Sequence, residues 1–219
     1  MKNKIILWSV IVLVIIGSVF GIIKLASKSQ TPGSGSDTLA LTISAINDNE
    51  NVKGNKNATT TLIEYSDFQC PACGAYYPIL KKVAEDMGSQ VQFAYRHFPL
   101  PQHKNAKLAA TVAEAAGKQG KFWEMHDLIF QNQSDWSEEK NAAVIFAKYA
   151  QDLNLDLAQF QTYIADGEIK AKIENDYKSG AKAGVNSTPS FFLNGKKLDN
   201  PRNYDEFKNA ILQALGQSN

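Results

Sequence analysis

The hydrophobic pattern begins with one uninterrupted apolar run near the N-terminus. Ile5 to Ile23 contains no charged side chain over 19 positions, and a helix of that length spans about 28 Å, enough for the hydrocarbon of a bilayer. The run predicts one transmembrane helix within a membrane anchor, residues 1–28. A cleaved signal peptide is the alternative, but its apolar region covers only about 7 to 15 residues, and Lys24 stands two positions before the nearest small-residue site, at Ala26.

A polar segment follows the anchor. Small polar residues dominate Ser27–Asp37, which predicts a flexible tether over residues 29–51, with little to bury. The folded domain is expected over residues 52–219. This leaves no room for a separate dimerisation domain, so we expect a monomer.

The pattern then alternates between strand and helix. Thr60–Phe68 is β-branched and aromatic and predicts a buried strand, residues 75–87 carry apolar side chains close to helical spacing, and Val91–Phe98 predicts a second strand. Pro78 is expected to kink or restart the helix, and Gly88 to end it. Together these elements predict a β-α-β unit with a right-handed crossover.

A long helical region separates this unit from the rest of the sheet. The apolar spacing is helical over about residues 104–183, with breaks expected at Gly117, Gly120, Asp135, Asn154 and Gly167. The chain then returns with a strand at Ser190–Leu193, a hairpin turn at Asn194-Gly195, and a final helix at Tyr204–Leu215 that covers the sheet. The whole pattern is that of an α/β protein with a helical insertion.

The charge balance does not favour nucleic-acid binding. The formal net charge is +1, and without the four lysines of the N-terminal tail 19 basic and 22 acidic side chains remain. Those lysines, Lys2 and Lys4 before the apolar run and Lys24 and Lys28 after it, leave only a thin margin for orienting the anchor by the positive-inside rule. The orientation therefore depends on the cysteines.

The two cysteines of the chain form the motif Cys70-Pro71-Ala72-Cys73, between the predicted strand and the predicted helix. Pro71 suits the first helical position, so Cys70 lies at the helix N-terminus and Cys73 one turn further in. Unpaired backbone N–H groups and the helix dipole favour a thiolate at Cys70. We predict that Cys70 is a nucleophile, that Cys73 resolves the disulfide, and that this pair serves without another cofactor.

A static structural disulfide and half of a zinc site are the alternatives for this pair. Zinc normally takes four ligands, and the three histidines, His97, His103 and His126, lack finger-like spacing. We therefore expect no metal, and we expect these histidines to be structural or exposed. Cysteines kept only as one redox pair fit an oxidising compartment, which predicts a single-pass protein of the cell membrane with its catalytic domain on the extracytoplasmic side.

Several segments together resemble the DsbA-like thiol:disulfide oxidoreductases of the thioredoxin superfamily. Glu64 stands six positions before Cys70, and Val185–Gly195 is similar to the cis-proline loop and following strand of that family. Arg96–Leu100 and Gly120–Asp127 are similar to segments of its extracytoplasmic members. The resemblance implies a thioredoxin fold with a helical insertion between its two halves, preceded here by the transmembrane helix.

The resemblance also implies roles for further residues. It implies a cis peptide bond at Pro189, which would pack against the Cys70–Cys73 disulfide, and a Thr188 backbone free to pair with a client peptide as a strand does. It implies that Glu64 is a buried acid that moves the proton of Cys73, with a pKa raised by burial. The alternation of the strand alone leaves open an outward-facing carboxylate.

The resemblance implies a disulfide-forming oxidase that acts on reduced or unfolded exported proteins and is reoxidised by a membrane quinone-linked thiol oxidase. Ala72 stands where DsbA has a histidine, and it cannot donate a side-chain hydrogen bond to the thiolate, so we expect a milder oxidant. Two alternatives stay open: a reductase or disulfide isomerase on the same fold, and a non-catalytic anchored chaperone or adaptor with a structural disulfide.

Overall fold

The computed structural model describes residues 43, 45–47 and 49–217. The predicted membrane anchor and most of the predicted tether lie outside these residues. Within the described ranges, every helix is too short or too polar to cross a membrane.

The described residues form five strands and eight helices. In chain order they are β1 (Asn51–Gly54), β2 (Thr60–Ser66), α1 (Pro71–Met87), β3 (Val91–His97), α2 (Ala106–Gly117), α3 (Phe122–Gln131), α4 (Gln133–Trp136), α5 (Ala142–Asp152), α6 (Leu157–Ile164), α7 (Gly167–Lys182), β4 (Ser190–Leu193), β5 (Lys196–Lys197) and α8 (Tyr204–Ala214).

The strands make one mixed sheet in the order β1-β3-β2-β4-β5. β2 and β3 are parallel and joined through α1, which confirms the predicted β-α-β unit, whereas the other neighbouring strands are antiparallel. β1 was not expected, because Val52 is its one large apolar residue and the segment shows no alternation. It forms along the edge of β3, with Asn51 opposite Tyr95.

The helical region has nearly the predicted limits, with α2 to α7 inserted between β3 and β4. Helix α1 continues through Pro78 to its C-cap at Gly88, so the expected restart at the proline does not occur. One of the expected breaks is wrong, because Asp135 lies inside α4, whereas Gly167 stands at the break between α6 and α7. The turn at Asn194-Gly195 has positive φ at both residues, 48° and 78°, as a two-residue hairpin turn requires.

Alternation along β2 divides the core between the two faces of the sheet. Leu62 faces α1 and α8, where it belongs to a cluster with Val83 and Phe207. Ile63 and Tyr65 face the other side and pack in a second cluster, which Tyr177 of α7 joins.

The insertion has a core of its own that reaches the end of β2. Its largest buried side chain is Trp136, which packs on Phe146 with 5.0 Å between ring centroids. The same cluster contains Phe68, which follows β2, lies 4.9 Å from the ring of Phe130 and stacks on Tyr95 at 5.0 Å. The insertion therefore packs directly against the chain that leads into the cysteine motif.

Candidate active site

The cysteine motif stands at the start of α1, as predicted. Cys70 is the N-cap, with φ −69° and ψ 122°, and Pro71 begins the helix. No side chain caps this terminus, so the backbone N–H groups of its first turn point toward the Cys70 sulfur without competition from a capping oxygen. Before the helix the chain makes a turn, in which the Cys70 N–H donates a hydrogen bond to the carbonyl of Asp67 at 3.0 Å.

The surroundings of Cys70 favour its thiolate. A hydrogen bond from the Cys73 thiol lowers the pKa of Cys70 to about 5, and the Thr188 side chain and the backbone N–H groups of Cys73 and Ala72 act in the same direction. Burial opposes them, since only 7% of Cys70 is exposed, but the hydrogen bonds to the anion outweigh it. A cysteine with this pKa is largely thiolate at neutral pH.

Cys73 has the opposite character. Burial, the hydrogen bond to Cys70 and the charge of Glu64 raise the pKa of Cys73 well above its ordinary value. Its exposed fraction is only 1%. Both cysteines are free thiols in this structure, so the geometry is that of the dithiol state.

The loop before β4 reaches the same sulfur. The peptide bond between Thr188 and Pro189 is cis, as the resemblance implied, and both residues are buried. Cys70 Sγ lies 3.4 Å from the Thr188 carbonyl oxygen, to which the sulfur donates only in its protonated form. The buried Thr188 hydroxyl has no hydrogen bond of standard geometry with any described residue, so it is available as a donor to the thiolate.

Glu64 lies beneath α1 and is half-buried. It lies on the Leu62 face of β2, opposite Tyr95 on one side and Phe191 on the other, and it lines a narrow cavity of about 40 Å³. Burial raises the pKa of Glu64 to about 7, against the opposing effects of the Ser66 hydroxyl and of a nearby lysine. The side chain thus lies on the α1 side of the sheet but keeps part of its surface exposed, between the buried acid that the resemblance implied and the outward-facing alternative.

The nearby lysine is Lys53 of β1, which the sequence did not single out. It lines the same cavity as Glu64, and its ammonium lies 4.4 Å from the ring centroid of Trp123. Burial lowers the pKa of Lys53, while the charges of Asp127 and Glu64 oppose that shift. Its position depends on β1, an element that the polar sequence did not predict.

A second set of unpredicted contacts holds the turn before Cys70. Asp67 is buried, with 2% exposed. One carboxylate oxygen accepts from the backbone N–H of Gln69 at 2.8 Å, and the other accepts from that of Leu100 at 2.8 Å and lies 2.7 Å from Nδ1 of His103. His103 therefore makes a structural contact with Asp67, which agrees with the expectation that the histidines are structural or exposed.

The other two histidines are buried, which agrees with structural roles. His97 Nε2 lies 2.7 Å from Oε1 of Glu114, and His126 Nδ1 lies 2.9 Å from Oδ1 of Asp127. Burial lowers the pKa of His126 to about 4, so this ring is neutral at physiological pH.

A family model described as thioredoxin matches residues 47–213. Among solved structures, oxidised BdbD from Bacillus subtilis superposes with a TM-score of 0.67 and 25% identity, covering 76% of this chain and 93% of that one. A variant of alpha-DsbA1 from Wolbachia pipientis gives a TM-score of 0.69 at 25% identity, covering 81% and 95%.

A curated relative is larger than this chain. The Na(+)/H(+) antiporter NhaA 3 of Salinispora tropica is 37% identical over 172 residues, which cover 78% of this chain and 26% of that protein. The chain thus spans about a quarter of the length of the curated relatives it matches.

Proposed function

Because this chain belongs to the thioredoxin family and has the fold of DsbA-type thiol:disulfide oxidoreductases, we propose that it is a disulfide-forming oxidase. Its clients would be reduced proteins exported from the cytoplasm. Residues 1–28 would anchor it to the cell membrane, with the catalytic domain on the extracytoplasmic side. A membrane quinone-linked thiol oxidase would return it to the disulfide state.

One observation supports the direction of this reaction most strongly: the pKa of Cys70 is lowered to about 5. Stabilising the thiolate stabilises the dithiol form, so the disulfide is more readily reduced and oxidises its clients more strongly. At pH 7 the interval between pH 5 and pH 7 corresponds to about 2.7 kcal/mol. For two electrons this is on the order of 60 mV toward a more oxidising potential.

In the proposed reaction a client thiolate attacks Cys70 Sγ of the enzyme disulfide. The bond between Cys70 and Cys73 breaks, Cys73 leaves as a thiolate, and a mixed disulfide joins Cys70 to the client. A second client thiolate then attacks the client sulfur of that bond and displaces Cys70. The client loses two electrons and gains a disulfide, and the enzyme becomes the dithiol.

Glu64 would supply the proton in the first step. Cys73 holds its proton strongly, so the leaving Cys73 thiolate must be protonated quickly if the mixed disulfide is not to revert. A carboxyl with a pKa of about 7 can donate that proton and recover it near neutral pH. During reoxidation the ionised Glu64 would act as the base toward Cys73.

Thr188 and Pro189 would hold the client. Their loop lies beside Cys70, and its backbone can pair with an extended peptide as an added strand. This mode recognises main chain more than side chains, which suits an enzyme with many clients.

A glutathione redox titration of the purified protein tests the proposal. We expect a reduction potential clearly above that of thioredoxin, which is about −270 mV, and a thiolate absorbance that titrates near pH 5. A potential near the thioredoxin value would favour the reductase or isomerase. An adaptor with a structural disulfide would show no acidic thiol, and its function would survive Cys70→Ser.

A further inference from the structure

Gln133, the first residue of α4, contacts the backbone of the cysteine motif from the helical insertion. Its side-chain amide nitrogen donates to the carbonyl of Phe68 at 2.7 Å and to the carbonyl of Cys70 at 2.9 Å. The two N–H bonds of one amide group thus hold the carbonyls on both sides of Gln69.

The chemistry of the site determines the orientation of this amide. Two carbonyl oxygens face the amide nitrogen, and they can accept but not donate. A flipped amide would place a third oxygen against them. The oxygen end of Gln133 lies over Gly74 instead, where a Cβ built on the glycine would come within 2.5 Å of Oε1.

These contacts matter because the start of α1 has no capping side chain of its own. The Cys70 carbonyl already accepts the helical hydrogen bond from the Gly74 N–H at 3.1 Å, and Gln133 supplies its second donor. The amides that face the Cys70 sulfur, those of Ala72 and Cys73, belong to this same turn. Gln133 therefore contacts the backbone of the same turn whose amides face the sulfur.

The insertion also forms hydrogen bonds with Gln69, the residue between Phe68 and Cys70. The Gln69 side chain accepts from the Asn105 backbone N–H at 2.6 Å and donates to the Ser137 carbonyl at 2.7 Å. The turn before Cys70 is thus held on both sides of its chain by residues outside the thioredoxin-like half.

We propose that Gln133 is a positioning residue, which fixes the first turn of α1 from the insertion and thereby sets how strongly the Cys70–Cys73 disulfide oxidises its clients. This inference deepens the proposed function and rests on it. Gln133 touches neither reacting sulfur in the structure and acts through the Phe68 and Cys70 carbonyls.

Gln133→Met tests this directly, because methionine keeps a similar length and shape but donates no hydrogen bond. We expect the equilibrium constant for reduction by glutathione to fall about tenfold, which is about 30 mV toward a more reducing potential. We also expect the Cys70 thiolate absorbance to titrate at higher pH than in the wild type. Gln131→Met is the matched control, since Gln131 donates to the Tyr77 hydroxyl and not to the motif backbone, and it should leave both quantities unchanged.

Gly74→Ala provides a second way to disturb the hydrogen bonds of Gln133 with the motif backbone. Alanine is the better helix former, so folding is retained, but its Cβ would push the Gln133 amide away. We expect it to shift the potential in the same direction as Gln133→Met, and the double variant should shift it no further than the larger single change.

The inference is overturned if Gln133→Met and Gly74→Ala both keep the wild-type potential and thiolate titration, even if they alter thermal stability. Additive effects in the double variant would also contradict it. The wild-type potential separates the two proposals, since a thioredoxin-like value would refute the oxidase while the difference between Gln133→Met and Gln131→Met still reports on positioning.

Discussion

Cys70 and Cys73 stand three residues apart on one helix, yet their surroundings shift their pKa values in opposite directions. Cys70 lies at the helix start, where amide N–H groups and the Thr188 loop stabilise its anion. Cys73 lies one turn deeper, with 1% of its surface exposed and the carboxyl of Glu64 beneath it. One turn of helix thus separates Cys70, a good nucleophile and leaving group, from Cys73, whose proton transfer requires an acid or base beside it.

The two cysteines therefore have separate roles. The environment of Cys70, at the helix N-terminus, controls the redox equilibrium, because the thiolate exists only in the dithiol form and its stabilisation favours that form. The buried side controls the rate of proton movement, because Cys73 cannot release or gain a proton without a partner such as Glu64. Changes on the two sides should therefore separate potential from rate.

Replacing either cysteine by serine should have the largest effect on client oxidation. Cys70→Ser should abolish client oxidation and eliminate the thiolate absorbance near neutral pH, because the acidic thiol is lost. Cys73→Ser should abolish turnover but keep an acidic Cys70. With a client that already carries a disulfide, the Cys70 thiolate attacks that disulfide, displaces one client thiolate and accumulates as a mixed disulfide, detectable on a non-reducing gel. A neutral-pH thiolate signal that persists in Cys70→Ser would reverse the assignment of the two cysteines.

The pH dependence of the dithiol form should be the next largest effect. The pKa of Cys70 is lowered in the folded protein to about 5, so its stabilising contribution is fully present above the ordinary thiol pKa and is lost as the pH falls through 5. At pH 7 it amounts to about 2.7 kcal/mol.

Chemical denaturation of the reduced and the oxidised protein at pH 7 and pH 4 measures this contribution. We expect the reduced form to lose stability relative to the oxidised form on acidification. A difference that stays constant between the two pH values would show that the thiolate is not stabilised.

Glu64→Gln should affect rate more than potential. We expect thiol exchange at pH 7 to slow about tenfold, less than the hundredfold or more that general acid–base catalysis can reach, because water that enters the cavity beside Glu64 can replace the carboxyl in part. Stopped-flow tryptophan fluorescence during reduction checks this. An unchanged rate with a shifted potential would instead assign Glu64 to the equilibrium.

Glu64→Gln should also change how the stability of the fold depends on pH. The Glu64 contribution is lost as the pH rises, whereas that of Cys70 is lost as the pH falls. The pKa of Glu64 is raised to about 7, so the folded state binds more protons than the unfolded state between about pH 4.5 and pH 7, and folding stability falls as the pH rises through that range. Glu64→Gln should remove this slope and make the protein more stable at pH 8 than the wild type. Thermal unfolding at pH 4 and pH 8 measures the slope.

Thr188→Val should give the smallest effect. It removes one hydroxyl donor from the thiolate at nearly constant shape. A well-formed hydrogen bond to a charged group contributes about 1.5 to 3 kcal/mol, but the Thr188 hydroxyl has no bond of standard geometry among the described residues, so we expect less than that. The glutathione equilibrium constant should fall about threefold, while Ser187→Ala, one residue earlier and exposed, leaves it unchanged. Equal behaviour of the two variants would remove Thr188 from the stabilisation of Cys70.

Much of the motif could be predicted from local sequence. Pro71 after Cys70, at the boundary of a β-branched run and a helical pattern, predicted the helix start that the structure shows. The Asn194-Gly195 turn was equally local. The cis bond at Pro189 followed from resemblance to a family whose loop has the same residues. The inward direction of Glu64 was ambiguous, because both faces of a central strand are covered and alternation does not distinguish them.

The sequence by itself determined most of the elements and the cysteine pair, because backbone propensity and apolar spacing act between residues close in the chain. Only the tertiary structure decided what surrounds the pair: Lys53 on an edge strand without a hydrophobic pattern, and Gln133 on a carbonyl 63 positions away. Such contacts are made by polar side chains whose partners are chosen when the insertion packs on the sheet. No local pattern encodes that choice.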